Sequence, residues 1–256
     1  MQACPVAGLA THAGLCYAAG QPLHRRDEVI ALSAMPSAAP KSSLFDFGAL
    51  AAVPLQHDPF DFLVVPAFLK ADALQAVNRD FPAISTPANF PPERLQFGPD
   101  FGRLLDELNG PEFQDAVGRK FGVDLTACSS TITVRKYCEA SDGNIHTDHP
   151  SKVITVLLYF NEQWTDEGGK LRMLRSKGDI EDFAAEVPPL GGTLLAFRRS
   201  DHSFHGHRRF EGERRMLQMN WVRAGKFAQA RHRLDRFSTH TMKRLLRLWS
   251  PAPERP

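Results

Sequence analysis

The chain has 256 residues, 43% of them hydrophobic and 23% charged, with a formal net charge of +2. This is enough chain for one large domain or two small ones with a sizeable core, and the near balance of charge gives no support for a nucleic-acid or membrane-surface partner. The four cysteines, Cys4, Cys16, Cys128 and Cys138, include no Cys-x-x-Cys pair, so reduced thiols in a cytoplasmic protein are expected rather than a disulfide scaffold. No run of about 18 apolar residues occurs, so no membrane span is expected.

Residues 1–43 are rich in Ala, Pro and Ser and lack the basic start of a secretory signal; they read as a poorly structured N-terminal segment, within which Met35 offers an alternative start. Regular structure is expected to begin with an apolar strand over residues 60–65, stopped by Pro66. Residues 70–81 carry Leu74, Val77 and Phe81 at helical spacing and end at Pro82. Residues 83–98, with three prolines, read as a long loop of the kind that shapes a binding entrance. Two more helices follow, over residues 100–108 and 111–121, the second opened by Pro111 and closed by Gly122.

Near Ala127 the pattern changes from helical to alternating. Strands are expected over residues 131–137, 153–160, 168–174, 185–187, 191–197, 205–208 and 214–223, separated by Gly, Pro and Asp turns. The series describes a closed or sandwiched β structure, and helices before strands give an α+β class with the helices on one face. Residues 226–256 read as a basic C-terminal helix and tail, the helix over 237–249 packing on the barrel surface.

His146-Thr147-Asp148 places an imidazole and a carboxylate one residue apart, on the same side of an extended segment. The pair suits a divalent first-row metal but does not fill its coordination sphere. The segment Ser203-Phe204-His205-Gly206-His207 offers a third ligand, with two histidines and a carboxylate on one face of an iron leaving the other face open. His149, His202 and His207 compete with His205. His149 directly follows Asp148 and so points the opposite way on an extended segment. Alternation over residues 214–221 puts Arg214, Met216, Gln218 and Asn220 on one, polar, face and Arg215, Leu217, Met219 and Trp221 on the other. Arg214 suits the distant carboxylate of a chelating 2-oxo acid, because a planar guanidinium matches a carboxylate bidentately.

Tyr137, His146-Thr147-Asp148, Leu158-Tyr159-Phe160-Asn161, Glu167-Gly168-Gly169-x-Leu171, His205-Gly206-His207 and Gly212-Glu213-Arg214, in this order, resemble the Fe(II)- and 2-oxoglutarate-dependent dioxygenases of the prolyl-4-hydroxylase-like branch. The likeness covers roughly residues 127–222 and the strand near Phe60. It implies a double-stranded β-helix (jelly-roll, cupin-like) core with N-terminal helices packed on one sheet, in a domain spanning residues 44–225 whose barrel begins near 127. It further implies that His146, Asp148 and His205 are the iron ligands. Arg214, Tyr159 and Tyr137 are by the same likeness the 2-oxoglutarate-binding residues. The cofactors implied are Fe(II), 2-oxoglutarate as cosubstrate and O2, with ascorbate as reductant. The reaction implied is hydroxylation of a C–H bond in a small-molecule or peptidyl substrate, with release of succinate and CO2. Halogenases of the superfamily have a small residue where this chain has Asp148, which favours hydroxylation.

Three rival readings stand beside it: a non-catalytic β-barrel that binds a metal or small molecule, a zinc hydrolase, and a nucleic-acid demethylase. The sequence after Arg214 does not match the Arg-x-Asn-x-Thr-x-Arg-like pattern of the demethylases, and the charge balance offers no broad phosphate-binding face.

Overall fold

The computed structural model describes residues 42–223; the expectations for residues 1–41 and 226–256, including the C-terminal basic helix, lie outside the described residues. The elements run α1 (Phe47–Ala52), β1 (Phe62–Val65), α2 (Ala71–Arg79), a 3-10 turn (Pro92–Arg94), α3 (Pro99–Asn109), α4 (Pro111–Phe121), then β2 (Cys128–Cys138), β3 (Lys152–Tyr159), β4 (Leu171–Leu174), β5 (Phe183–Val187), β6 (Leu194–Arg198), β7 (His205–His207) and β8 (Gly212–Arg223).

Among the described residues the strands form two antiparallel sheets, one ordered β1-β6-β3-β8-β2 and the other β5-β4-β7. Alternation along the central strands buries apolar side chains on both faces of the larger sheet. Ile132, Val134, Ile154, Val156, Leu158, Leu217, Met219 and Trp221 pack with Phe101, Leu104, Leu108, Phe113 and Val117 of the helices. Leu157, Tyr159, Leu195, Phe197 and Met216, on the opposite face, pack with Leu171, Met173 and Val187 of the smaller sheet. Both faces of β3 are thus buried, which is why it reads as a nearly continuous apolar run. This is the α+β jelly-roll arrangement, with helices against one sheet.

The helices follow their sequence signals. Pro99 and Pro111 stand in the first turns of α3 and α4, where a missing N–H costs nothing. Gly122 closes α4 in the left-handed region at φ 59°, a conformation that costs a residue with a Cβ.

Regular structure begins earlier than residue 60. The Asp46 carboxylate accepts from Ala49 N at 2.9 Å and caps α1, a helix of six residues, too short for a periodic pattern to show. Ser43 Oγ and Leu44 N both donate to Glu107 Oε2 at 2.8 Å, so the chain is held to α3 from its first described residues. Phe45 is 2% exposed and stacks on Phe68 at 4.8 Å. Truncating such a ring removes its burial and leaves a cavity. Phe45→Ala is therefore expected to lower the free energy of unfolding by about 3–5 kcal/mol in a denaturant titration, whereas a tail residue would show no change.

Candidate active site

The distant His146 and His205 meet because the loop before His146 pairs with β7. His146 N donates to His205 O at 3.0 Å, His205 N returns a bond to His146 O at 2.9 Å, and His207 N donates to Gly143 O at 2.9 Å. The two imidazole rings lie with centroids 4.4 Å apart. Ligand-type atoms of His146, Asp148 and His205 all fall within 4.8 Å of one another.

The backbone also sets the tautomers. Nδ1 of His146 lies 2.8 Å from Asn144 O, and Nδ1 of His205 lies 3.0 Å from Ser203 O. A carbonyl can only accept, so Nδ1 carries the proton in each ring and Nε2 keeps its lone pair for an electrophile. Burial pushes His205 down to about 4, which keeps it neutral at ordinary pH.

Asp148 is 7% exposed and both its oxygens are bonded. Lys152 Nζ donates to Oδ1 at 2.6 Å and Thr155 Oγ1 to Oδ2 at 2.5 Å. Burial alone would raise its carboxyl, but the Lys152 charge and the two hydrogen bonds overcome that and hold it well below the usual carboxylate range. Two imidazole nitrogens and one carboxylate, with no thiolate among them, can hold Fe(II) or Zn(II).

Arg214 is 3% exposed. Its Nε donates to Gly169 O at 2.8 Å, and Nη2 lies 3.4 Å from the Tyr159 hydroxyl; among the described residues no carboxylate pairs with it. Tyr159 is fully buried behind it, and burial pushes its phenol up against the opposing pull of Arg214. Tyr137 does not share this position. The β2–β8 register shifts between Arg135 and Tyr137, so the bulge turns Tyr137 off the alternation. Cys138, not Tyr137, is the buried residue at the end of β2, near enough to the Tyr159 phenol to raise its pKa.

His146, Asp148, His205 and Arg214 line one cavity of about 780 Å³. Met216, Gln218 and Asn220 line it too, as alternation predicts, while Leu217, Met219 and Trp221 enter the helix-facing core. Residues 86–89 of the long loop reach the cavity, and Phe90 pairs with Val134 to tie that loop to the edge of β2. His207 lines the cavity but stands outside the ligand cluster, and His202 is exposed away from it. His149 lines the cavity as well, rather than pointing to the side opposite Asp148, because residues 147–149 are not a regular strand. Sequence reading missed the Lys152–Asp148 and Thr155–Asp148 contacts. The inward facing of Thr155 follows from β3 alternation, but no local signal gives the fold of residues 149–152 that returns Lys152 to Asp148.

Residues 132–223 match the family model of the 2OG-Fe(II) oxygenase superfamily. That stretch contains the ligand cluster and Arg214, so over these residues the chain is similar to that superfamily. Similar solved structures include prolyl hydroxylases. A Pseudomonas putida prolyl-4-hydroxylase shares 19% identity over 70% of this chain and 97% of its own, with a TM-score of 0.48. A prolyl 4-hydroxylase of Phytophthora capsici shares 17% over 74% and 69%, at 0.49. The collagen prolyl hydroxylase of Paramecium Bursaria Chlorella virus-1 shares 16% over 64% and 96%, at 0.43. No curated protein matches the chain in sequence.

The contact between β7 and the loop leaves no room for a side chain at Gly206. A Cβ there would lie 2.7 Å from Gly143 O and 3.3 Å from Asn144 C, both backbone. Gly206→Ala is therefore expected to lower the free energy of unfolding by about 1–3 kcal/mol, read by denaturant titration.

Proposed function

We propose that His146, Asp148 and His205 hold Fe(II), that Arg214 binds the far carboxylate of 2-oxoglutarate, and that the protein hydroxylates a C–H bond of its substrate with release of succinate and CO2. One observation carries the reading: a buried guanidinium without an acidic partner among the described residues shares a cavity with the His-Asp-His cluster. An uncompensated buried charge is costly, and a dicarboxylate that chelates the metal at one end supplies the missing anion at the other. A hydrolytic zinc site has no need of such a clamp. Residues 44–225 form the oxygenase domain in this reading.

The chemistry supplied by Fe(II), when bound, is activation of dioxygen with oxidative decarboxylation of 2-oxoglutarate. The chain's part is positional. The Asn144 and Ser203 carbonyls orient the two imidazoles, and Lys152 with Thr155 fixes the Asp148 carboxylate. Tyr159 and the Gly169 carbonyl set the guanidinium plane of Arg214, so that a carboxylate meets a prepared fork rather than a mobile chain. Asp148 occupies the place that a halogenase leaves small, which directs the reading to hydroxylation. Tyr137 is the weaker part of the proposed cosubstrate set, since Tyr159 meets Arg214 whereas Tyr137 stands beyond the register shift on β2.

Anaerobic reconstitution with Fe(II) and 2-oxoglutarate, followed by oxygen, is expected to yield succinate. His146→Ala, Asp148→Ala and His205→Ala are each expected to abolish it, and full turnover in His205→Ala with loss in His207→Ala would overturn the ligand assignment. Arg214→Met is expected to weaken 2-oxoglutarate binding by about 100-fold while Fe(II) still binds, both read by anaerobic titration.

A further inference from the structure

The register of the larger sheet sorts the cavity wall into rows. Thr155 of β3, Asn220 of β8 and Thr131 of β2 stand side by side; Leu157, Gln218 and Thr133 form the next row, and Tyr159, Met216 and Arg135 the third. Neighbouring strands lie ~4.8 Å apart, so the first row runs from the Asp148-bound Thr155 to Thr131 about 10 Å away. The third row adjoins Arg214, whose Nη1 meets Met216 Sδ.

The first two rows on β2 and β8 are polar but uncharged. Gln218 Nε2 donates to Asn220 Oδ1 at 3.1 Å. Thr131 Oγ1 is buried and, among the described residues, has no hydrogen-bond partner, although Thr131 lines the cavity. Cations of the wall are engaged elsewhere: Lys152 binds Asp148, and Arg135 pairs with Asp142. Glu139 and Asp142 belong to the turn beyond Arg135, past the charged end of β2. Asn89 and Thr86 face the same space from the tethered loop. The cavity is within the ~300–1,000 Å³ range of small-molecule sites and exceeds what a five-carbon diacid fills.

Resting on the reading of the site as an oxygenase centre, we infer that Thr131, Thr133, Gln218 and Asn220 form the substrate subsite and that it takes a small uncharged molecule bearing hydroxyl or carboxamide groups. A charged substrate would be desolvated on these rows without a counter-charge. An apolar one would leave the Thr131 hydroxyl without a partner and would desolvate the Gln218 carbonyl and the Asn220 amide nitrogen, which the Gln218–Asn220 bond does not use. A polyol or carboxamide both donates and accepts, and so meets all four side chains while its carbon skeleton lies towards the Asp148 end of the row.

The test uses the full chain, loaded anaerobically with Fe(II) and 2-oxoglutarate, and follows the charge-transfer absorption of that complex as probes are added. Glucose, glucuronate and glucosamine present one skeleton as neutral, anionic and cationic forms, and N-acetylglycinamide presents a carboxamide. The neutral probes are expected to perturb the band and the charged ones not; glucose against N-acetylglycinamide tells polyol from carboxamide. Thr131→Val is expected to weaken the neutral probe roughly 10-fold, and Thr131→Ser to restore it. Perturbation by a charged probe at equal or lower concentration, silence of the whole series, or unchanged binding in Thr131→Val would each overturn the inference. Failure of the band to form at all would instead refute the oxygenase reading on which it rests.

Discussion

The site depends on the pairing of one short strand with one loop. β7 has three residues, yet its backbone bonds to His146 and Gly143 bring together side chains from opposite ends of the barrel sequence. Metal coordination needs ligand atoms within a few ångströms of a common point, and side-chain rotation alone cannot supply that. The glycine between His205 and His207 is part of the same device, since it lets the loop backbone approach closely enough to make the bonds.

Around that pairing the protein has made two opposite electrostatic environments in one cavity. At Asp148 a buried anion is fully answered by Lys152 and Thr155. At Arg214 a buried cation is answered, among the described residues, by neutral groups: the Gly169 carbonyl, a thioether and a phenol. The first arrangement holds a ligand carboxylate in one orientation. The second leaves an electrostatic need that, in the proposed reading, the far carboxylate of a diacid meets.

Much of this was legible in the residues. Helix ends marked by Pro111 and Gly122, the two faces of β8, and the strand order through the Gly and Pro turns all follow from local rules of backbone conformation and period-two alternation. The resemblance of the His146-Thr147-Asp148, His205 and Arg214 spacing to a known family added the chemistry. Other features were not legible, for identifiable reasons. α1 is too short for periodicity. Tyr137 was assigned by resemblance, and the bulge after Arg135 that shifts its register on β2 has no local signal. His149 was assigned outward on the assumption of an extended segment that ends before it.

The sequence by itself determined the class of fold, the inward face of each regular strand, and the residue types able to bind a metal and a diacid, because these depend on near neighbours and side-chain chemistry. Tertiary structure alone decided that Lys152 folds back on Asp148, and that Thr131, Thr133, Gln218 and Asn220 become one uncharged wall. Each of these is a relation between strands distant in the chain, set by the register of their backbone hydrogen bonds, and no local pattern encodes that register.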